Sequence, residues 1–160
     1  MTIRHFKKIT KTDKFKLEVI KGAITAYATT VLKGQTVTNP ADVAKYLNLY
    51  CKETKKEKPV ALFLDSKNKV RGVQEIFIDN VNSTILSPAE ILHEVLKYPT
   101  SRLILSYNYP SGDPAPSQAV IQSTKRLSEV CRLMGVELLD HLVVGDDQSC
   151  SIRSDYPELF

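Results

Sequence analysis

The sequence predicts an α/β (α+β) domain in which helices pack against a mixed β-sheet to give three layers. Two observations predict this class. Short, almost continuously apolar runs such as VALFLD and SRLILSYNY are typical of strands buried on both faces. Amphipathic segments with helix-start signals lie between the later runs. The resulting order, β-β-α-β-α-β-β, indicates one sheet with helices packed on it, and 160 residues are of single-domain size.

The first half of the chain predicts two further elements before the sheet begins. Residues 14–32 are rich in Val, Ile, Thr and Tyr, which favours a strand. In TNPADVAKYLNLYCKE, Asn39 is suited to cap a helix whose first residue is Pro40. An apolar stripe on that helix is formed by Val43, Tyr46, Leu47 and Tyr50. A lysine-rich connector then leads into the sheet.

The strands and helices of the sheet region follow from local signals. VALFLD and VRGVQEIF predict two strands joined by the short polar turn SKNK, and the first is expected to be central. SPAEILHEVLKYP predicts a helix with a capping box, Ser87 with Glu90. SRLILSYNY is the next strand. Ser117 begins a helix that reaches about Gly135, and VELLDHLVVG and QSCSI are the last strands. The residues expected to face inward from that helix are Val120, Ile121, Leu127, Val130, Cys131 and Met134.

Composition excludes several classes of protein. The chain is 42% hydrophobic and 25% charged, which excludes a disordered or collagen-like protein. No apolar run approaches the roughly 18 residues that cross a bilayer, and the basic start lacks a secretory apolar block. We therefore expect a cytoplasmic protein with no membrane partner. Cys51, Cys131 and Cys150 are widely spaced without a CxxC, which indicates free thiols rather than disulfides or a zinc site.

Charge is distributed unevenly along the chain. Residues 1–58 carry 13 Lys and Arg against 5 Asp and Glu, a balance of +8, whereas residues 59–160 carry 9 against 13, a balance of −4. Such a basic segment is suited to nucleic acid or to an acidic partner protein. The alternative is a solvated, solubilising surface without a ligand, since no known nucleic-acid recognition motif accompanies it.

The stretch LSYNYPSGDPAPSQ contains the candidate functional site. Side chains alternate between faces along a strand, so Tyr107 and Tyr109 share a face at the strand's end. The following turn leads to Ser117, and the third residue of its helix, Val120, is expected to face back to that strand end. Three positions thus converge. With His, His and Asp they would form a three-ligand zinc site with a fourth position open for water.

These residues resemble the signature of the RadC family, a branch of the JAB/MPN (JAMM-like) metalloprotease-like domains. The family pattern is His-x-His-Pro-Ser-Gly, a Pro-rich turn, Ser-x-x-Asp, a helix with Thr and Leu, and then Leu-Asp-His. After the ligand pair, the residues that match this family pattern are Pro110, Ser111, Gly112, Asp113, Pro114, Pro116, Ser117, Thr124, Leu127, Leu139, Asp140 and His141. Upstream matches are Glu57, Leu64, Asp65, Asn68 and Glu75.

The resemblance covers roughly residues 38–155 and implies a cytidine-deaminase-like JAB/MPN fold. It therefore divides the chain into a basic N-terminal segment, residues 1–37, that packs on or flanks the domain, and a RadC-like JAB/MPN domain, residues 38–160. In the family it implies zinc-dependent hydrolysis, in which zinc lowers the pKa of its bound water to about 7. Glu75 would take the proton and Ser117 would stabilise the oxyanion.

The departures from the family pattern fall on the metal. Tyr107 and Tyr109 replace the two histidines and Val120 replaces the aspartate, while the family's Gly-Thr is Asp79-Asn80. Valine has no donor atom, and forming a phenolate at pH 7 costs roughly 4 kcal/mol from a pKa of about 10. We therefore expect no zinc or other cofactor at these degenerate metal-site positions.

The same residues have plain structural roles. The two phenol groups are expected to donate hydrogen bonds to Glu75, and Ser117 has a sufficient role as a helix cap. His141 is expected to be a hydrogen-bonded core residue rather than a ligand.

Three functional hypotheses follow. The first is a pseudoenzyme, a RadC-like domain that has lost hydrolysis and acts as a binding or scaffold module for a protein partner or in a homodimer. The second is a metal-dependent peptidase or isopeptidase-type hydrolase with a non-standard site built from Glu75, His141, Asp113 or the tyrosines. The third is nucleic-acid association through the basic N-terminal third, which fits the link to DNA repair that the resemblance implies.

Overall fold

A computed structural model describes residues 19, 32–39, 42–45, 47, 57–76, 86–146 and 148–160. Most of the strand predicted at residues 14–32 lies outside this part of the chain. The two residues within it, Val19, which is 55% exposed, and Leu32, are helical, so the strand prediction is wrong at both. Residues 42–45 and 47 are helical, as predicted, with Val43 and Leu47 buried. Tyr46, Tyr50, Cys51 and the Asp79-Asn80 pair lie outside the described residues.

Within the described ranges, five strands form one mixed sheet. They are β1 (Pro59–Leu64), β2 (Val70–Glu75), β3 (Arg102–Asn108), β4 (Glu137–Val144) and β5 (Ser149–Ser151), in the spatial order β2-β1-β3-β4-β5. β1 is antiparallel to both β2 and β3, β3 is parallel to β4, and β4 is antiparallel to β5. All six residues of β1 are buried, so the prediction that it is central is confirmed.

The sheet is covered on both faces, which confirms the predicted three-layer arrangement. One face, with Ala61, Phe63 and Leu105, packs against α1 (Pro88–Val95) and α2 (Gln118–Leu133). The opposite face, with Val60 and Leu62, packs against the helical residues of segment 42–47. We call these the α2 face and the rear face of the sheet.

Both helices of the α2 face begin where the sequence predicts. The backbone N–H of Ser87 donates to Glu90 Oε2 at 3.1 Å, which is the reach-back half of a capping box. Ser117 caps α2.

The predicted inward face of α2 is correct in its middle and wrong at its end. Leu127 and Cys131 are buried, Ile121 and Val130 are partly buried, and Met134 is 47% exposed. Met134 is the residue at which the helix stops, and the chain turns away at Gly135 with a φ of +73°, so the helical period no longer sets where residue 134 points.

Residues 34–37 bind the outer edge of β2. The Gly34 N–H donates to the Val70 carbonyl, and the Val70 N–H donates to the Gln35 carbonyl, both at 2.8 Å. Val37 N–H donates to the Asn68 carbonyl at 2.9 Å. No helix within the described ranges has the length and apolar character needed to cross a membrane.

Candidate functional site

Tyr107 lies at the end of β3 on the α2 face, and it is closely enclosed. Its side chain is 2% exposed, and its hydroxyl accepts the backbone N–H of Leu86 at 3.2 Å. Burial raises the pKa of this phenol well above its ordinary value of 10. The residue therefore stays a neutral phenol across the physiological pH range.

Tyr109 connects the strand end to the start of α2. Its hydroxyl lies 3.5 Å from Ser117 Oγ, to which it donates, and accepts the Ser117 N–H at 3.4 Å. Ser117 Oγ in turn accepts the Val120 N–H at 3.3 Å, which confirms the predicted N-cap. The two hydroxyls and the first turn of α2 thus form one hydrogen-bonded unit.

The turn between β3 and α2 is held in place by glycines. Gly112 has a φ of +83°, a conformation that favours glycine, and its N–H donates to the Tyr109 carbonyl at 3.0 Å. A Cβ on Gly145, just after β4, would overlap the Gly112 carbonyl oxygen. The close approach of these two glycines fixes where the turn delivers Ser117.

Tyr109, Ser117 and Val120 line one cavity. Of the three positions predicted to converge, 107, 109 and 120, the lining includes the last two but not the buried Tyr107. The cavity measures about 370 Å³. Val120 is 6% exposed and belongs to an apolar cluster with Val143 and Ile152, against which Tyr109 also packs. The lining residues are Glu57, Tyr109, Pro110, Ser111, Ser117, Ala119 and Val120. We call this space the site cavity.

Glu75 does not reach the site cavity. It pairs with Val60 across β1 and β2, and paired residues share a face, so its side chain belongs to the rear face. Its Oε2 accepts from Lys58 Nζ at 3.1 Å. The expectation that the two phenols donate to Glu75 is therefore wrong, because Tyr107 and Tyr109 lie on the opposite face.

The carboxylate at the site cavity is that of Glu57, whose role the sequence did not reveal. β1 and β3 pair Pro59 with Tyr107, and the same antiparallel register continued outward places Glu57 opposite Tyr109. The Lys58 N–H donates to Asn108 Oδ1 at 2.6 Å, which anchors this extension. Partial burial raises the pKa of Glu57, although the residue as a whole remains exposed. The alternation of side chains along β1 could have shown that Glu57 lies on the same face as Tyr109, but only if β1 and β3 had been known to be neighbouring strands.

His141 is a core residue, as predicted. It is 2% exposed, and its Nδ1 lies 2.7 Å from Thr124 Oγ1, which itself donates to the Val120 carbonyl at 2.7 Å. The imidazole therefore donates from Nδ1, and Nε2 is buried without a hydrogen-bond partner in the described part of the chain. Burial lowers the pKa of His141 to about 4.

The residues proposed for a relocated hydrolytic site are not brought together. Glu75 lies on the rear face, His141 is buried beneath α2, and Asp113 caps its own turn by accepting the Ala115 N–H at 3.0 Å. Among the residues whose positions are described, no cluster of three His, Cys, Asp or Glu side chains is placed to hold a metal ion.

Comparison with known proteins agrees with this geometry. The profile of the RadC-like JAB domain matches residues 37–156, three quarters of the chain. The chain belongs to the RadC-like JAB domain family. A UPF0758 protein of Bacillus cereus is 40% identical over 118 residues, which cover 74% of this chain and 52% of the relative.

Two further relatives give the same result. UPF0758 proteins of Clostridium perfringens and Geobacillus are each 40% identical over 117 residues, which cover 73% of this chain and 52% of the relative. The RadC-like JAB chain thus matches about half the length of the curated relatives.

Within this RadC-like JAB domain, the ligand positions do not fit zinc. Val120 offers no donor atom, and the Tyr107 phenol is buried and already bound to the Leu86 N–H. The Tyr109 hydroxyl is engaged by Ser117. A catalytic zinc ion needs three protein ligands that bind as anions or neutral imidazoles, and this set supplies none of them in an available form.

Proposed function

We propose that this RadC-like JAB domain is a binding module that no longer performs zinc-dependent hydrolysis. The observation that carries the proposal is the donor chemistry at positions 107, 109 and 120, where two hydrogen-bonded tyrosine hydroxyls and a valine stand in place of the expected ligands. Val120 has no donor atom, and burial keeps Tyr107 neutral. Two of the three ligand positions therefore cannot bind a metal ion, each for its own reason.

The retention of an open cavity supports binding rather than a purely structural remnant. Larger side chains at the ligand positions have not filled the space, which still measures about 370 Å³ and carries both hydroxyl and carboxylate groups. Cavities of roughly 300–1,000 Å³ with a few convergent polar groups are typical of ligand sites. The cavity therefore has the size and polarity to accept part of a partner molecule.

Metal analysis of two proteins tests the proposal. Wild type is compared with the triple variant Tyr107→His, Tyr109→His and Val120→Asp after dialysis against zinc and then against buffer. We expect the triple variant to retain about one zinc per chain and wild type to retain none, because only the variant has three suitable donors. The double variant Tyr107→His and Tyr109→His is the matched control and is expected to bind zinc more weakly. Stoichiometric zinc in wild type, together with hydrolysis of peptide or isopeptide substrates, would overturn the proposal.

A second role, nucleic-acid association, is favoured by the charge of the N-terminal third. The balance of +8 over residues 1–58 would supply phosphate contacts independent of base sequence. The affinity for a 20-base-pair duplex should then fall steeply as salt rises from 50 to 200 mM. Changing Lys7, Lys8, Lys11 and Lys14 to Gln should flatten that slope, whereas changing Lys97 and Lys125 should not. Binding that ignores salt, or that survives the four changes unaltered, would count against this role.

A further inference from the structure

The site cavity adjoins a second cavity along α2. The second measures about 320 Å³ and lies between the start of α1 and the first two turns of α2. Ala119 lines both cavities, so the two lie next to each other along α2. The residues that line the second cavity are Leu86, Ser87, Pro88, Ala119, Gln122, Ser123 and Arg126. We call the two cavities together the α2 groove.

The α2 groove follows the axis of the helix. Ala119, Gln122, Ser123 and Arg126 have the spacing of one helical stripe, so they line a single side of α2. At 1.5 Å per residue, Arg126 lies about 10 Å along the axis from Ala119. Glu57 lies beyond Ala119 in the other cavity. The groove is therefore elongated, which suits an extended chain rather than a compact small molecule.

Opposite charges mark the two ends of the α2 groove. Glu57 brings a carboxylate to the site cavity, and Arg126 brings a guanidinium to the second cavity. Within the described ranges neither side chain takes part in an ion pair, whereas Glu75, Glu94 and Glu137 each do. A ligand that fills the groove can thus gain one charge contact at each end.

Most of the surface that lines the second cavity is apolar, and the backbone groups of Leu86 in its wall are already hydrogen-bonded. Leu86, Pro88 and Ala119 present carbon atoms to it. The Leu86 backbone is fully engaged, since its N–H donates to the Tyr107 hydroxyl and its carbonyl accepts from Ser123 Oγ at 3.1 Å. The wall therefore offers mainly apolar contact, while Glu57 and Arg126 supply the two charged groups of the groove.

We propose that the α2 groove binds an extended polypeptide segment of a partner, with a basic side chain at Glu57, an acidic side chain at Arg126 and apolar residues between them. An extended chain advances about 3.3 Å per residue, so the two charged residues of the segment lie about four positions apart. This inference rests on the proposed function, because the site cavity must take a ligand instead of performing zinc hydrolysis.

Fluorescently labelled peptide pools test the proposal on the full chain. The pool acetyl-Lys-(Leu/Ala/Val)₃-Glu-amide is compared with pools in which both end residues are Glu or both are Lys, by anisotropy at 50 mM salt. We expect wild type to bind the Lys/Glu pool about fivefold more tightly than either control pool, because each charge contact at a groove rim contributes modestly to the free energy of binding. Equal affinity for the three pools, or no measurable binding, overturns the inference.

Variants assign the contacts to residues. Glu57→Gln and Arg126→Gln should each reduce binding of the Lys/Glu pool several-fold, while the matched controls Glu129→Gln and Arg132→Gln on the same helix should leave it unchanged. Glu57→Lys should reverse the preference in favour of the Glu/Glu pool, a gain that loss of folding cannot produce. If Glu57→Lys fails to reverse the preference, the basic side chain is not recognised at Glu57 and the inference is wrong.

Two further outcomes separate this inference from its alternatives. Sedimentation at rising protein concentration shows whether a second copy of this chain fills the groove. If the chain self-associates and the Lys/Glu pool displaces that association, the occupant is a second copy, and the proposal of a separate partner is overturned. Metal analysis on the same preparation distinguishes the two proposals. Zinc-free protein that fails to select the pool contradicts only the groove, whereas zinc-loaded, hydrolytic protein contradicts the proposed function.

Discussion

Tyr109 and His141 are fixed by neighbours at the start of α2, Tyr109 by the N-cap residue and His141 by a residue of the second turn. Tyr109 binds the capping Ser117, and His141 binds Thr124, whose hydroxyl returns to the Val120 carbonyl. Both contacts hold the first two turns of α2 against the ends of β3 and β4. The position of the site cavity is therefore determined by side chains beneath it as well as by those that line it.

The buried imidazole of His141 predicts a specific loss of stability in acid. Its pKa is lowered from 6.5 to about 4 in the folded state, so between these values the unfolded chain binds a proton that the folded chain does not. Unfolding is therefore favoured as pH falls through this window, by about 3 kcal/mol in total. Urea unfolding of wild type and His141→Gln at pH 7 and pH 4 measures it.

The variant supplies the control for that measurement, because every other titrating group is common to both proteins. Wild type should lose about 3 kcal/mol more than His141→Gln between the two pH values. Equal losses in the free energy of unfolding of the two proteins would show that His141 remains able to accept a proton when folded.

At the same scale, the sequence identified some site residues and missed another for a clear reason. Period-two alternation placed Tyr107 and Tyr109 on one face, and cap chemistry placed Ser117, because both signals are local. Local sequence signals could not show which of Glu57 and Glu75 faces the site cavity. Their faces depend on how β1 pairs with β2 and β3, and that register involves residues such as Lys58 and Asn108, 50 positions apart.

Among the elements, β2 and the end of α1 are joined by a close contact. The ring of Tyr98 stacks on Phe63 with centroids 4.6 Å apart and an interplanar angle of 15°. It also covers Gly72 so closely that a Cβ there would overlap the ring. The absence of a side chain at residue 72 lets α1 and its following turn pack against the sheet.

Gly72→Ala should destabilise the domain by about 1–3 kcal/mol, because the added methyl forces Tyr98 off Phe63. Denaturant unfolding measures the change in the free energy of unfolding. In a Tyr98→Ala background the same substitution should cost much less, since the overlapping ring is gone. Equal costs in the two backgrounds would contradict this account.

The elements themselves were largely predictable, because their signals are strong and local. The bounds of β1, β3 and β4 follow apolar runs, and those of α1 and α2 follow caps at Ser87 and Ser117. The end of α2 was less predictable: Met134 continues the apolar period but is exposed, because the chain leaves the helix there.

For the whole molecule, residues 32–37 of the N-terminal region are bound to the sheet. Residues 34–37 hydrogen-bond the edge of β2, and Leu32 and Val37 pack against the rear-face core. A boundary drawn between residues 37 and 38 therefore cuts through a segment that contacts the domain. That boundary comes from the family resemblance, which begins at about residue 38, and motif matches do not report pairing at a sheet edge.

Two truncated chains measure the contribution of that segment. A chain that begins at residue 38 should be less stable than one that begins at residue 32 by about 2 kcal/mol. It loses three backbone hydrogen bonds, each contributing roughly 0.5–1.5 kcal/mol, and the apolar contacts of Leu32 and Val37. Urea unfolding of both checks this, and equal stabilities would show that the segment adds nothing.

The position of β1 between β2 and β3 bears on the order in which the molecule folds. β1 reaches β2 through a short turn, but its pairing with β3 must close a loop across α1, and such non-local pairing is slow. Glu57 meets Tyr109 only through that second pairing. We therefore expect the carboxylate of Glu57 to reach the site cavity late in folding, only after β1 and β3 have paired.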